Sequence, residues 1–118
     1  MTEEDKVVLR KILDVSIKDK CPTYFENLAT EELLKKRGSF VTLYLNGNLR
    51  GCIGNLQANV PLFISVAENA VRAAYSDYRF EPVSADEIKN IDYEISILTE
   101  PVKIEYSNLS SLLGQLIV

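Results

Sequence analysis

No histidine occurs among the 118 residues, and that absence removes more chemistry than any other feature of the composition. A Cys-His or Ser-His catalytic pair within one chain is excluded, because its imidazole base is missing. Only two cysteines are present, Cys21 and Cys52, with no short spacing between them. A tetrahedral zinc site built from Cys and His ligands is therefore excluded too, and no motif calls for any other cofactor. Long apolar runs are lacking: no stretch approaches the ~20 residues needed to cross a bilayer. The N-terminus MTEEDKVVLR is acidic and periodic, where a secretory signal would be basic and then apolar. Positive charge is scarce as well. The formal net charge is −4 and the only dense basic run is Lys35-Lys36-Arg37, so nothing resembles the electropositive stripe that a phosphate backbone requires. These absences read as a cytoplasmic protein with neither nucleic acid nor membrane as partner, in which a disulfide between Cys21 and Cys52 is not expected.

What is present suits one soluble domain. A chain of 118 residues buries about two thirds of the surface its unfolded form exposes. Its apolar share of 47% and charged share of 25% are those of a globular protein. Thr2 and Asp5 stand at capping-box spacing, and Val8, Leu9, Ile12, Leu13 and Ile17 follow at helical spacing with Val15 as the exception. That pattern predicts an amphipathic helix stopped by Pro22. Thr30 caps a short second helix that Gly38 is placed to end. Asn59 and Pro61 start a third, with Leu62, Phe63, Val66, Ala67, Ala70, Val71 and Ala74 as a broad apolar stripe. Ser84 and Glu87 suit a further helical turn. IDYEISIL alternates as a strand should, Tyr93, Ile95 and Ile97 against Glu94, Ser96 and Leu98, and VKIEY at 102–106 alternates too.

Between the second and third helices lies SFVTLYLNGNLRGCIGNL, whose Asn46-Gly47 is a strong hairpin signal. With these two residues as a tight turn, Leu45 faces Asn48, Leu43 faces Arg50, Val41 faces Cys52 and Phe40 faces Ile53. Arg50 and Cys52 then share a sheet face with Val41 and Leu43, roughly 6 to 7 Å apart at their Cα atoms. Phe40, Thr42, Tyr44, Leu49 and Ile53 take the other face.

LRGCIG (49–54), preceded by FVTLYLNGN and followed by SDYRFEPVSADEI and then YEISILTEP, resembles the AMMECR domain family, named for the Alport syndrome, midface hypoplasia and elliptocytosis chromosomal region. The resemblance implies an α+β fold: an antiparallel sheet of at least four strands flanked by helices, with residues 1–118 forming a single domain. Family members occur beside, or fused to, Memo-like and radical-SAM proteins, which implies a shared pathway and such proteins as partners. It supplies no reaction. Family domains continue past the point where this chain stops, so the resemblance also implies a domain truncated at its C-terminal end. The apolar run LLGQLIV at 112–118 is then a candidate pairing surface for a second copy. The motif positions that match are Arg50, Gly51, Cys52, Ile53 and Gly54, then Asp77, Arg79 and Phe80, then Glu94.

These residues admit two readings each. A thiolate is the reactive form of cysteine and a guanidinium beside it favours that form, so Cys52 with Arg50 and Arg79 has the makings of a nucleophile, with Glu94 or Asp77 carrying the proton. Arg50 and the backbone N–H groups around Gly51 and Gly54, with Asp77 and Arg79, would bind a small anionic or carbonyl-bearing molecule. Against this, a free cysteine between glycines also serves as a small packing residue where strands and helices approach closely. Asp77 and Arg79 can pair with each other, Phe80 can anchor a loop in the core, and Glu94 is either paired with a cation or a solvated strand residue. Cys21 reads as a packing residue. Two functions follow: a domain that binds or transforms a small polar substrate in a groove around LRGCIG, by thiol chemistry if it is an enzyme, or a non-catalytic accessory module for protein partners.

Overall fold

The first helix forms where its spacing places it. In the computed structural model, which describes residues 1–101 and 113–118, α1 spans Glu3–Asp19. Thr2 Oγ1 accepts from the Asp5 N–H at 3.1 Å while the Asp5 carboxylate accepts from the Thr2 N–H at 3.0 Å, which completes the capping box. Asp5 is buried because it also accepts a 2.6 Å bond from the Thr30 hydroxyl at the cap of α2 (Glu31–Leu34), and this hydroxyl holds its carboxyl below the usual range. The helix ends on Lys20, in the left-handed region at φ 53°, before Pro22 is reached. The Lys20 and Cys21 N–H groups donate back to Ile17 and Ser16 in a Schellman turn. A side chain at that φ is strained by about 1 kcal/mol. Lys20→Gly should therefore raise stability by roughly 0.5 kcal/mol after the added freedom of the unfolded chain is subtracted. Urea unfolding would show it, and a lowered midpoint would mean that the contact of Lys20 with the Tyr75 ring, 5.6 Å away, outweighs the strain.

Strands β1 (Ser39–Leu45), β2 (Asn48–Asn55), β3 (Ile91–Pro101) and β4 (Leu113–Ile117) form one antiparallel sheet in the order β2-β1-β3-β4. The fold is α+β, as expected. The C-terminal apolar run supplies β4 beside β3, while the strand expected at 102–106 lies outside the described residues. Helix α3 (Leu62–Tyr75) lies across β1 and β2, and α1 packs on α3. Leu9, Ile12 and Leu13 meet Leu62, Val66 and Ala70, and below them Val41, Leu43, Ile95 and Ile97, in one core. Gly38 does not end α2, which stops at Leu34; it begins the approach to β1, where a side chain would strike the Asn55 carbonyl.

Two features set the position of β2. Asn46 (φ 53°) and Gly47 (φ 81°) form the tight turn and Leu45 pairs with Asn48, as read. Beyond that the register departs from expectation. A bulge at Arg50 pairs Tyr44 with Leu49 and Leu43 with Gly51, so Cys52 stands opposite Thr42 rather than Val41. Because side chains alternate, this single extra residue moves Cys52 to the face away from the helices. At the far end of the strand, Asn69 on α3 is buried and its amide nitrogen lies 2.8 to 3.4 Å from Asn55 Oδ1, Ser39 O, Ser39 Oγ and Ser65 Oγ. This polar cluster beneath the hairpin fixes α3 against both strands.

Candidate functional site

Cys52 is half-buried on the sheet face that carries no described helix. Its Sγ lies 3.3 Å from Thr42 Oγ1, and Thr42 pairs in turn with Glu94 on β3. The three residues form one row across β2, β1 and β3. Phe40 and Tyr44 flank the row on β1, and the Phe40 ring covers Gly54, where a Cβ would overlap it. Gly51 faces the opposite way, against the Ala73 carbonyl of α3.

The segment after α3 holds the thiol's backbone in place. β2 is an outer strand, and at Cys52 both its N–H and its C=O turn away from β1. Asp77 Oδ2 accepts the Cys52 N–H at 3.0 Å, and Arg79 Nη2 donates to the Cys52 carbonyl at 3.3 Å. The same carboxylate receives Arg79 Nε at 3.0 Å and Nη2 at 2.7 Å, a fork-to-fork pair, and the Arg79 N–H at 3.1 Å. Asp77 is 4% exposed, and Arg79 holds its carboxyl well below the ordinary range. Together these side chains cover an open strand edge. The loop returns to α3 at Val83, which is buried and donates to the Ala74 carbonyl at 2.9 Å.

Helix α4 (Ala85–Ile88) follows, with the expected capping box of Ser84 and Glu87. Glu87 does more than cap. Its carboxylate takes Arg50 Nε at 2.8 Å and Nη2 at 3.1 Å, and Arg50 also reaches the Pro82 carbonyl at 3.4 Å. The guanidinium pulls the Glu87 carboxyl down to about 2.

Four expectations change. Arg50 is the extra residue of the bulge, so strand alternation no longer sets it beside the thiol; its guanidinium goes to Glu87, where its charge is matched. The Asp77 carboxylate is occupied by the protein's own donors, so its contact with Cys52 is to the backbone. Phe80 is not in the core: it is half-buried with the Arg79 guanidinium 5.4 Å over its ring, and Val83 anchors the loop instead. Cys21 is exposed rather than packed, its Sγ 3.7 Å from the Pro22 carbonyl. Glu94 is half-buried, and among the described residues it has neither an ion pair nor a side-chain hydrogen bond. Thr42 was missed, because an unbulged hairpin puts it on the face opposite Cys52. Asn69 carried a signal that passed unread, a lone amide inside the apolar stripe of α3.

The sheet with helices on one face, a half-exposed Cys on the other and a loop clamped to its backbone define an α+β domain built around the RGCIG strand. The AMMECR1 family model matches residues 7–115, and the chain belongs to that family. A protein of Methanothermobacter thermautotrophicus is 48% identical over 71 residues, a match covering 60% of this chain and 37% of that protein. A protein of Thermotoga maritima is 47% identical over 74 residues, covering 60% and 42%. The crystal structure of the uncharacterized protein PH0010 from Pyrococcus horikoshii superposes with a TM-score of 0.75 at 30% identity, covering 90% of this chain and 56% of that one. These matches span less than half the length of the two curated relatives. Among the described residues no helix is long and apolar enough to cross a membrane.

Proposed function

We infer that the open sheet face around Cys52 is a binding surface for a small polar molecule, with the thiol at its centre. The observation that supports this reading is the way Cys52 is presented: backbone N–H and C=O held by Asp77 and Arg79, Sγ beside Thr42 on a half-exposed face. A packing cysteine needs neither clamp nor access. If the domain is an enzyme, Cys52 is its nucleophile and Glu94, one strand beyond Thr42, its proton carrier. Arg50, Gly51, Gly54, Asp77 and Arg79 then shape the site, Asp77 and Arg79 by holding the backbone of Cys52.

In a Cys21→Ser background, which leaves a single thiol, Cys52 should react with iodoacetamide in the folded protein at no less than about a tenth of the rate of the unfolded chain. Reaction only on unfolding would refute the reading. Cys52→Ser should leave the unfolding free energy within the ±0.5 kcal/mol usual for surface changes.

One observation favours the second reading, an accessory module. Tyr78, at the tip of the clamped loop, is 95% exposed, and an aromatic residue on an immobilised loop is the kind of side chain that anchors protein interfaces. The partners would be the Memo-like or radical-SAM proteins that the family resemblance implies, and a second copy adding along the outer strand β4 belongs to the same reading. Tyr78→Ala would weaken such a complex in a pull-down while leaving the alkylation of Cys52 unchanged.

A further inference from the structure

The charge on the open face narrows the class of ligand. Reading outward from the hairpin, the face carries Leu49, Tyr44 and Asp92 in one row, Cys52, Thr42 and Glu94 in the next, then Gly54, Phe40 and Ser96, with Ile117 beyond. Apart from Arg50, the extra residue of the bulge that opposes Tyr44 together with Leu49, no lysine or arginine stands in these rows. The two guanidiniums nearest to them are already matched, Arg50 by Glu87 at 2.8 Å and Arg79 by Asp77 at 2.7 Å. The donors that would receive an anion are occupied too. The Cys52 N–H is bound to Asp77, Gly51 lies against α3 and Gly54 lies beneath the Phe40 ring. What remains is two carboxylates, Asp92 and Glu94, beside an aromatic ring. Glu94 is half-buried with no partner among the described residues, and such a carboxylate costs free energy that an incoming cation recovers. Aromatic faces add to such a site through their quadrupole.

Resting on the reading of this face as the binding surface, we propose that its ligand is a small organic cation, an alkylammonium group held by Glu94 and lying along Tyr44 and Thr42 toward the thiol. Glu94 and Cys52 are two strand spacings apart, roughly 10 Å at Cα, so a molecule of a few carbons spans the row. This departs from the anionic or carbonyl-bearing ligand expected from the sequence, because the arginines that suggested it are internal ties.

Charged thiol reagents test the proposal on the folded Cys21→Ser protein. Rates at Cys52 are measured with methyl methanethiosulfonate, its trimethylammonioethyl analogue and its sulfonatoethyl analogue, and a free cysteine derivative gives the reference ratio. The cationic-to-anionic rate ratio should exceed the reference roughly tenfold, the lower end of electrostatic steering at a charged cleft, and Glu94→Gln should remove most of that excess. A ratio at or below the reference overturns the proposal. Independently of any Glu94 variant, n-butylammonium chloride should slow the neutral reagent, and sodium butyrate at equal ionic strength should not. The opposite order, or equal effects, also overturns it. If the neutral reagent modifies Cys52 but charge makes no difference, only the cationic ligand falls. If the neutral reagent does not reach Cys52 in the folded protein, the binding surface falls with it.

Discussion

Asp77→Ala should lower the unfolding free energy by about 3 kcal/mol, a large fraction of the 5–15 kcal/mol typical of a whole domain. The carboxylate is buried and accepts from the Cys52 N–H, the Arg79 N–H and two nitrogens of the Arg79 guanidinium. Truncation leaves the strand's N–H without a partner, which alone costs about 1–3 kcal/mol. Arg79 is 47% exposed and can turn to water, which holds the loss at the lower end of the range for breaking a buried ion pair. The reverse deletion is no milder. Arg79→Met strands a carboxylate that cannot reach solvent, and an equal or greater loss is expected. The double variant Asp77→Ala, Arg79→Met should lose less than the sum of the two, the signature of direct coupling. Additive losses, or an Asp77→Ala protein within 0.5 kcal/mol of the parent, would mean that the loop is not bound to β2 at all.

The pH dependence has a fixed sign. The ordinary carboxyl pKa of Asp77 is 3.8, and in the fold it is lower, chiefly through the Arg79 guanidinium. A depressed carboxylate stabilises the fold fully above its unfolded pKa and loses that contribution as the pH falls toward its folded one. Glu87 behaves alike, with an ordinary value of 4.5 and about 2 in the fold, because Arg50 holds it ionised. The two pairs that tie residues 77–87 to β2 therefore weaken together below about pH 4. Thermal unfolding between pH 5 and 2 should fall more steeply for the parent than for Asp77→Asn, which has no carboxyl to protonate there. Parallel curves would assign the acid sensitivity to other groups.

How far the sequence revealed this arrangement depends on the range of the interaction. Local features were legible: the capping boxes at Thr2 and Ser84, the Asn46-Gly47 turn and the alternation of β3 each arise among residues a few positions apart. The pairing of motif blocks was not. Alternation assigns faces only while the register is unbroken, and the bulge at Arg50 leaves no mark in composition. One inserted residue exchanged the neighbours of Cys52, from Val41 to Thr42, and sent Arg50 to α4. The sequence likewise offered Asp77 and Arg79 as ligand-binding groups because both are charged. That they grip the backbone of a strand 25 and 27 positions earlier is a fact of topology. Glu94 shares the face of the thiol only because the register change moved Cys52 to join it.

The core side of the same strand carries the other large effect. Gly51→Ala should cost about 3 kcal/mol, and Gly51→Val should leave little folded protein at 37 °C. A Cβ at Gly51 would be driven into the Ala73 carbonyl oxygen, a backbone atom inside a helix that cannot rotate aside as a side chain would. Relief would require α3 to lift from β2. Ala70, Ala73 and Ala74 are buried in that contact and have no long side chains to refill the gap. Lifting α3 would also stretch the hydrogen bonds of Asn69 to Ser39 and Asn55, so packing and polar contacts fail together. Gly47→Ala is the control. Gly47 has nothing within 4 Å of an added Cβ and is constrained only by its φ of 81°, so its loss should be about 1 kcal/mol. Circular dichroism of both variants through a urea series would separate the two causes. Were Gly51→Ala no worse than Gly47→Ala, the close approach of α3 to β2 would be untenable, and with it the packing that turns the thiol of Cys52 to the open face.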